Sequence, residues 1–374
     1  MTEGPLGIGI IGCGYVADFY GATLPNHSQL NLVSAFDVDA ERMASFCARY
    51  GAEEAADVDE MLADPRVVIV TNLTPPHAHD VINQRVVAAG KHLYSEKPLG
   101  LSSEKITCLL DQAERNRVLV AGAPCSVLGG AAQTLAKAIR DGVIGSPRLV
   151  YAELDNGALP YLGSERWTSP RGIPWPTASE VAIGCTLEHA PYYVTWLVAL
   201  FGRVRHVYAE AFTLLNDQWP ESLIVAPDFT VGVLTLDSGV ICRITCGWVA
   251  PADLSLTVVG TEGALRVEDA WSYRAPVTLR RRQQPTGKQH DYLAPPVVLP
   301  AVDSGWPDTS GSYKDSHDMD VSRGVAQLAD AVTGVGSLAL DAFDHAHVTD
   351  VCLMLSSGTS GPVPSRPSTM VRSE

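Results

Sequence analysis

Residues 6–14, LGIGIIGCG, carry a short apolar run straight into glycine, and YVADFYGATL (15–24) follows with helix-compatible spacing. A strand that turns through glycine into a helix is the opening βα unit of a Rossmann fold. The glycine pattern is Gly12-x-Gly14-x-x-Ala17, and Asp37 stands twenty residues after Ala17, closing the next apolar run, LNLVSAFD. Bare glycine backbone at a helix start receives a pyrophosphate, and an acidic side chain ending the second strand accepts hydrogen bonds from ribose hydroxyls. The context, more than the glycines alone, makes this a dinucleotide-binding expectation. Asp37 repels a 2′-phosphate, which favours NAD over NADP; Arg42, five residues on, is placed to meet such a phosphate and moderates the preference.

Outward from this unit, helix and strand signals alternate. AERMASFCARYG closes on Gly51 at the usual helix-stop position, and DVDEMLADP reads as a short helix. VVIVTNL is a third apolar strand, HDVINQRVVAAG a helix, HLYSEKP a fourth strand, SEKITCLLDQAERN a helix capped by Ser102 or Ser103, and VLVAGAP a fifth strand. Strands apolar throughout, separated by helices, belong to a parallel sheet covered on both faces. Residues 1–124 are therefore expected to form an α/β, doubly wound Rossmann domain.

From residue 125 the pattern changes. AAQTLAKAIRDGVIG is a helix, and RLVYAEL begins a different sheet continued by RHVYAEAFTLL, DFTVGVLTLDSGVICRITCGW and LSLTVVGTEGALRVED. The LDSGV and GTEGAL turns join alternating strands as hairpins. Residues 125–374 are expected to form an α+β domain with a large, mostly antiparallel open sheet. A long loop is expected over 284–316, then two closing helices and a frayed tail from Ser360.

Composition excludes several functions. The chain has 374 residues and a formal net charge of -15; its one basic cluster, LRRRQQ at 279–284, reads as a strand edge, so nucleic acid is not an expected partner. Apolar runs stop short of the ~20 residues of a membrane span, and no secretory leader is visible, so a cytoplasmic protein is expected. Eight cysteines lie singly and suit a reducing compartment; the pairs His77/His79 and His345/His347 lack partners at metal-ligand spacing, so no metal is expected.

GIGIIGCGYVADFY, TPPHAH, AAGKHLYSEKPLG, IRDGVIGSPR, a segment around His189 and GTEGALRV occur in that order. Together they resemble the glucose-fructose oxidoreductase and inositol dehydrogenase family, Gfo/Idh/MocA, across nearly the whole chain. The resemblance implies reversible hydride transfer between NAD(P) and a hydroxyl carbon of a sugar, sugar nucleotide or cyclitol, in a homodimer or homotetramer. It places Gly12, Gly14 and Ala17, with Tyr15 and Val16 between them, on the phosphate-binding turn and Asp37 on the ribose. It places Thr74, Pro75 and His79 along the cofactor, Glu96 and Lys97 beside the nicotinamide, and His189 against the substrate carbinol, with Lys97 catalytic. Glu96 is then placed to orient the Lys97 ammonium.

Two departures follow. The family's second-domain motif carries an aspartate four residues before the histidine, where this chain has Cys185; Glu188, adjacent to His189, is the alternative source of charge. The segment AGAPCSVLGGAAQT lacks the arginine that many members have there.

The stretch VAIGCTLEHAPYYVTWL (181–197) is otherwise apolar, yet holds Cys185, Glu188, His189, Tyr192 and Tyr193. It is expected to face the nicotinamide with its N-terminal part, with Pro191 in a first turn or at a kink and His189 near the helix start. Tyr192 or Tyr193 could share the His189 face, Tyr193 being taken as the substrate contact. The 157–178 loop adds Arg166, Arg171, Trp167 and Trp175, where aromatic faces suit a sugar ring and arginines suit an acid or phosphate. Competing readings are an NAD-dependent hydrolase or eliminase that oxidises its substrate transiently, and a non-catalytic dinucleotide sensor.

Overall fold

The computed structural model describes residues 4–284, 292–303 and 319–366. In chain order the first half contains β1 (Leu6–Ile11), α1 (Ala17–Thr23), β2 (Leu30–Phe36), α2 (Ala40–Tyr50), β3 (Glu53–Glu54), α3 (Val58–Ala63), β4 (Ile69–Asn72), α4 (Pro76–Ala88), β5 (His92–Ser95), α5 (Ser103–Asn116) and β6 (Val120–Gly122). Among the described residues these strands form a six-stranded sheet in the order β3-β2-β1-β4-β5-β6, every pair parallel. This is the doubly wound order whose switch point, between β1 and β4, opens a crevice at the strands' carboxyl ends. One more strand is present than the sequence suggests. β3 is two exposed glutamates, with no apolar pattern to announce it.

Local chemistry explains the boundaries. Asp39 and Asp57 cap α2 and α3 by accepting from the backbone N–H groups of Arg42 and Glu60, and Ser102 caps α5. Gly51 ends α2 in the left-handed conformation, at φ 77°.

The second half contains α6 (Gly130–Arg140), β7 (Pro147–Asp155), α7 (Thr177–Phe201), β8 (Val204–Phe212), β9 (Phe229–Leu236), β10 (Ile241–Gly247), β11 (Leu256–Gly260), β12 (Gly263–Val267), β13 (Val277–Arg281), β14 (Val297–Val298), α8 (Ser322–Thr333), α9 (Ala342–Ser356) and β15 (Gly361–Pro362). Among the described residues its sheet has nine strands, β14-β13-β12-β11-β7-β10-β9-β8-β15, antiparallel except for β10 on β7.

Four expectations are corrected here. The 279–284 cluster is not a sheet edge, because β13 pairs with β12 on one side and β14 on the other; β14 also falls within the expected 284–316 loop, of which 285–291 and 304–316 lie outside the described residues. The tail is not frayed up to residue 366, since β15 pairs with β8 and Arg366 forms a buried ion pair with Asp350. Residues 367–374 lie outside the described residues. In α7 the break falls at Gly184 (φ 83°, ψ 163°), where a Cβ would come 2.7 Å from the Pro227 carbonyl oxygen, and Pro191 lies inside the helix.

The two halves share their closing helices. Val325, Leu328 and Ala329 of α8 join the core of Ile8, Ile10 and Tyr20 under the first sheet, while α9 contributes Ala346 to the first half and Val351, Cys352 and Leu355 to the second. A second tie comes from the loop before α7. The wholly buried carboxylate of Asp18 in α1 accepts from Arg171 Nε (2.5 Å), the Arg171 backbone N–H (3.1 Å), Tyr50 Oη (3.0 Å) and the Ser169 hydroxyl. Removing one member of a buried pair strands the other charge away from water. Arg171→Met is therefore expected to lower the urea midpoint, at a cost of about 3 kcal/mol. The exposed Arg166→Met should leave the midpoint within error of the parent.

Candidate active site

A cavity of about 1150 Å³ lies between the halves, over the carboxyl ends of β1, β4 and β5. At one end the turn after β1 bends through Gly12 at φ 96°, where a Cβ would sit 2.7 Å from the Leu73 carbonyl carbon and oxygen. A Cβ on Gly14 would meet nothing within 4 Å, so this glycine leaves open space beside the uncapped start of α1. Asp37, 8% exposed, accepts from the Cys13 backbone N–H (2.7 Å) through Oδ2 and from the Asp39 backbone N–H (2.9 Å) through Oδ1. Two carboxylate oxygens offer about four lone-pair directions, so acceptor capacity remains toward the cavity. Arg42 is engaged by two acids, 3.7 Å from Asp37 and 3.1 Å from Asp39. A dinucleotide fits these residues: open backbone for its phosphates and an anchored acceptor for a ribose.

Tyr15, Val16, Thr74 and Pro75 also line the cavity, whereas Ala17 and His79 do not. Ala17 is wholly buried in the core under α1, its small side chain serving helix–sheet packing. His79 is equally buried, 2.6 Å from the Pro98 carbonyl oxygen and 2.7 Å from that of Thr74, so it braces the backbone on which Lys97 stands; burial lowers its basicity.

At the other end Lys97 and Glu188 form an ion pair, their side chains 11% and 12% exposed. Glu96 does not touch the ammonium. Its Oε1 accepts from Tyr20 Oη (2.7 Å) and its Oε2 from the Lys97 backbone N–H (3.0 Å), so it positions the main chain. His189 lies edge-on to Trp248 and Trp271, with ring centroids 5.6 and 4.8 Å away. Trp248 Nε1 donates to His189 Nδ1 at 3.2 Å. An indole nitrogen only donates, so Nδ1 must be unprotonated, and the neutral imidazole carries its proton on Nε2. The neutral imidazole expected near this helix start is thus fixed by Trp248 in its Nε2–H form.

The carboxylate on Lys97 belongs to Glu188, and the residue four positions on that shares its helix face is Tyr192, which lines the cavity. Cys185 is wholly buried with its thiol against the carbonyls of Cys246 (3.4 Å) and Pro227 (3.5 Å), turned from the cavity. Tyr193 is buried too, donating to the Leu254 carbonyl, and burial raises its pKa far above the ordinary phenol value. Trp167 and Trp175 line the cleft, edge to face at 5.6 Å. Arg166 points outward, its side chain 78% exposed.

Sequence reasoning missed Glu180, Trp248 and Trp271 as cavity residues. The tryptophans come from separate strand ends, with no local motif to flag them. ¹⁵N spectra of labelled histidine should report the Nε2–H tautomer for His189, and Trp248→Phe, which removes the donor, should mix the two tautomers.

Comparison with known proteins agrees with this geometry. Residues 6–123 match the sequence profile described as oxidoreductase family, NAD-binding Rossmann fold, and residues 132–266 match the GFO/IDH/MocA C-terminal domain. Inositol 2-dehydrogenase of Burkholderia cenocepacia is 25% identical over 271 residues, covering 71% of this chain and 74% of its own. Trans-1,2-dihydrobenzene-1,2-diol dehydrogenase of Mus musculus is 24% identical over 268 residues, covering 71% and 75%. The solved structure of levoglucosan dehydrogenase in complex with NADH shares the fold with a TM-score of 0.76 at 17% identity, over 97% of this chain and all of that one.

Proposed function

The chain belongs to the GFO/IDH/MocA family of NAD-binding oxidoreductases, and from that premise we propose that it transfers hydride between NAD and a hydroxyl-bearing carbon of a sugar, sugar nucleotide or cyclitol. The observation that carries this reading is the buried Lys97–Glu188 pair in the same cleft as Gly12, Gly14 and Asp37.

The bound dinucleotide supplies the hydride acceptor in the oxidative direction. The substrate hydroxyl must also lose its proton, and the pair provides for that. The Lys97 ammonium donates to the Glu188 carboxylate. A proton passed along that bond to Glu188 leaves Lys97 Nζ a lone pair to receive the hydroxyl proton; the reverse direction returns it. His189 Nε2–H donates to the same oxygen and holds it while its bond order to carbon changes. Trp248 keeps that donor aimed, and Glu96 with Tyr20 fixes the backbone beneath Lys97. The carboxylate of Asp37 and the engagement of Arg42 by two acids favour a ribose with a free 2′-hydroxyl, hence NAD over NADP.

Among the described residues no helix is long and apolar enough to cross a membrane. The eight unpaired cysteines, seven of them buried, suit the reducing cytoplasm. Exposed Tyr208, Phe212 and Val233 on the open face of the second sheet suit a second copy of the chain, giving a homo-oligomer.

NADH fluorescence titration and NAD-linked turnover over a panel of sugars and cyclitols test the reading together. Lys97→Met is expected to lower kcat by about a hundredfold or more while NADH still binds. Asp37→Ala, which removes a charged acceptor, should weaken NADH binding about tenfold. Failure of the wild-type protein to bind NADH at all would sink the proposal.

A further inference from the structure

We propose that Glu180 is the residue that selects the substrate, reading the hydroxyl groups of an uncharged polyol ring and barring a phosphate or carboxylate from the reacting end of the cleft. The inference rests on the dehydrogenase reading above.

Glu180 stands in the first turn of α7, lines the cavity and is 7% exposed. Its Oε2 is buried and has no hydrogen-bond partner among the described residues. A buried carboxyl oxygen left unmatched costs about 1–3 kcal/mol, which a substrate group reaching it would recover. An alcohol is the group that fits in either protonation state, since it donates to a carboxylate and accepts from a carboxylic acid. Burial pushes Glu180 toward the acid, Lys97 opposes and Glu96 reinforces.

The charge around Glu180 supplies the exclusion. Among the described lining residues, this end holds the carboxyls of Glu96, Glu180 and Glu188 against the one ammonium of Lys97, already paired with Glu188. An anionic substituent placed here would lose its water and meet no uncommitted cation from these residues. The two arginines of the adjoining loop do not serve, because Arg166 points to solvent and Arg171 is buried on Asp18. Trp248 and Trp271 line this end too, adding apolar indole surface to the wall.

The test uses the NADH complex of the full chain, titrated with myo-inositol, glucose, glucose 6-phosphate and glucuronate while cofactor fluorescence is followed. The wild type should bind each neutral ligand at least about tenfold more tightly than the charged ones. Glu180→Leu should lose about tenfold in affinity for the neutral ligands, and Glu180→Gln, which keeps the shape with a donor and an acceptor, should restore most of it. Tighter binding of glucose 6-phosphate or glucuronate by the wild type overturns the inference. So does undiminished neutral affinity in Glu180→Leu, or the failure of all four ligands to bind the NADH complex. Each of these leaves the dehydrogenase reading standing, whereas absence of NADH binding removes both.

Discussion

A buried ammonium–carboxylate pair joins the chain after β5 to the middle of α7. Lys97 and Glu188 are each nearly nine-tenths covered, and they come from opposite halves of the molecule. Such a pair adds little net stability, since two charges must leave water to form it, but losing either partner would strand the other. Its contribution is positional. The carboxyl end of the first sheet and α7 must arrive at one point, and the surroundings serve that requirement: His79 braces Pro98 and Thr74, Glu96 holds the Lys97 backbone, and Gly184 re-aims α7 so that Glu188 enters the cleft.

Much of the first half was legible because its signals are local. Apolar β1, the Gly12 turn and Asp37 follow one another within a short span, and each constrains backbone geometry by itself. β3 was invisible because two glutamates on a sheet edge carry no pattern, and their pairing follows from β2 being in place. The mostly antiparallel second sheet was legible in its hairpins. The crossing of α8 to the first core was not, since an amphipathic helix does not name the sheet it will cover.

At the site, sequence separated the chemistry from its register. Lys97, Glu188 and His189 were all singled out, and all line the cleft. Cys185 and His189 hold the spacing of an acid and a histidine, and Glu188 and Tyr192 hold the same spacing three residues later. Tertiary packing decides between the registers: Cys185 has a place among the carbonyls of Cys246 and Pro227, where a carboxylate would be buried without a counter-charge. The His189 tautomer depends on Trp248, fifty-nine residues away in sequence, and no helix-end argument could supply it. Glu180 looks like any acidic residue in a first helical turn until the cavity wall closes around it.

Arg171 does more than neutralise Asp18. Its Nη2 also donates to the carbonyl of Cys13 (2.6 Å) and its Nη1 to that of Arg42 (3.0 Å), the backbone flanking the nucleotide end of the cleft. The same loop presents Trp167 and Trp175 to the other end. One guanidinium is thus a common keystone for two walls at opposite ends of the cleft. Neither wall can drift without pulling on the other, so the width of the cleft is set once, along its whole length, by a side chain that lines neither.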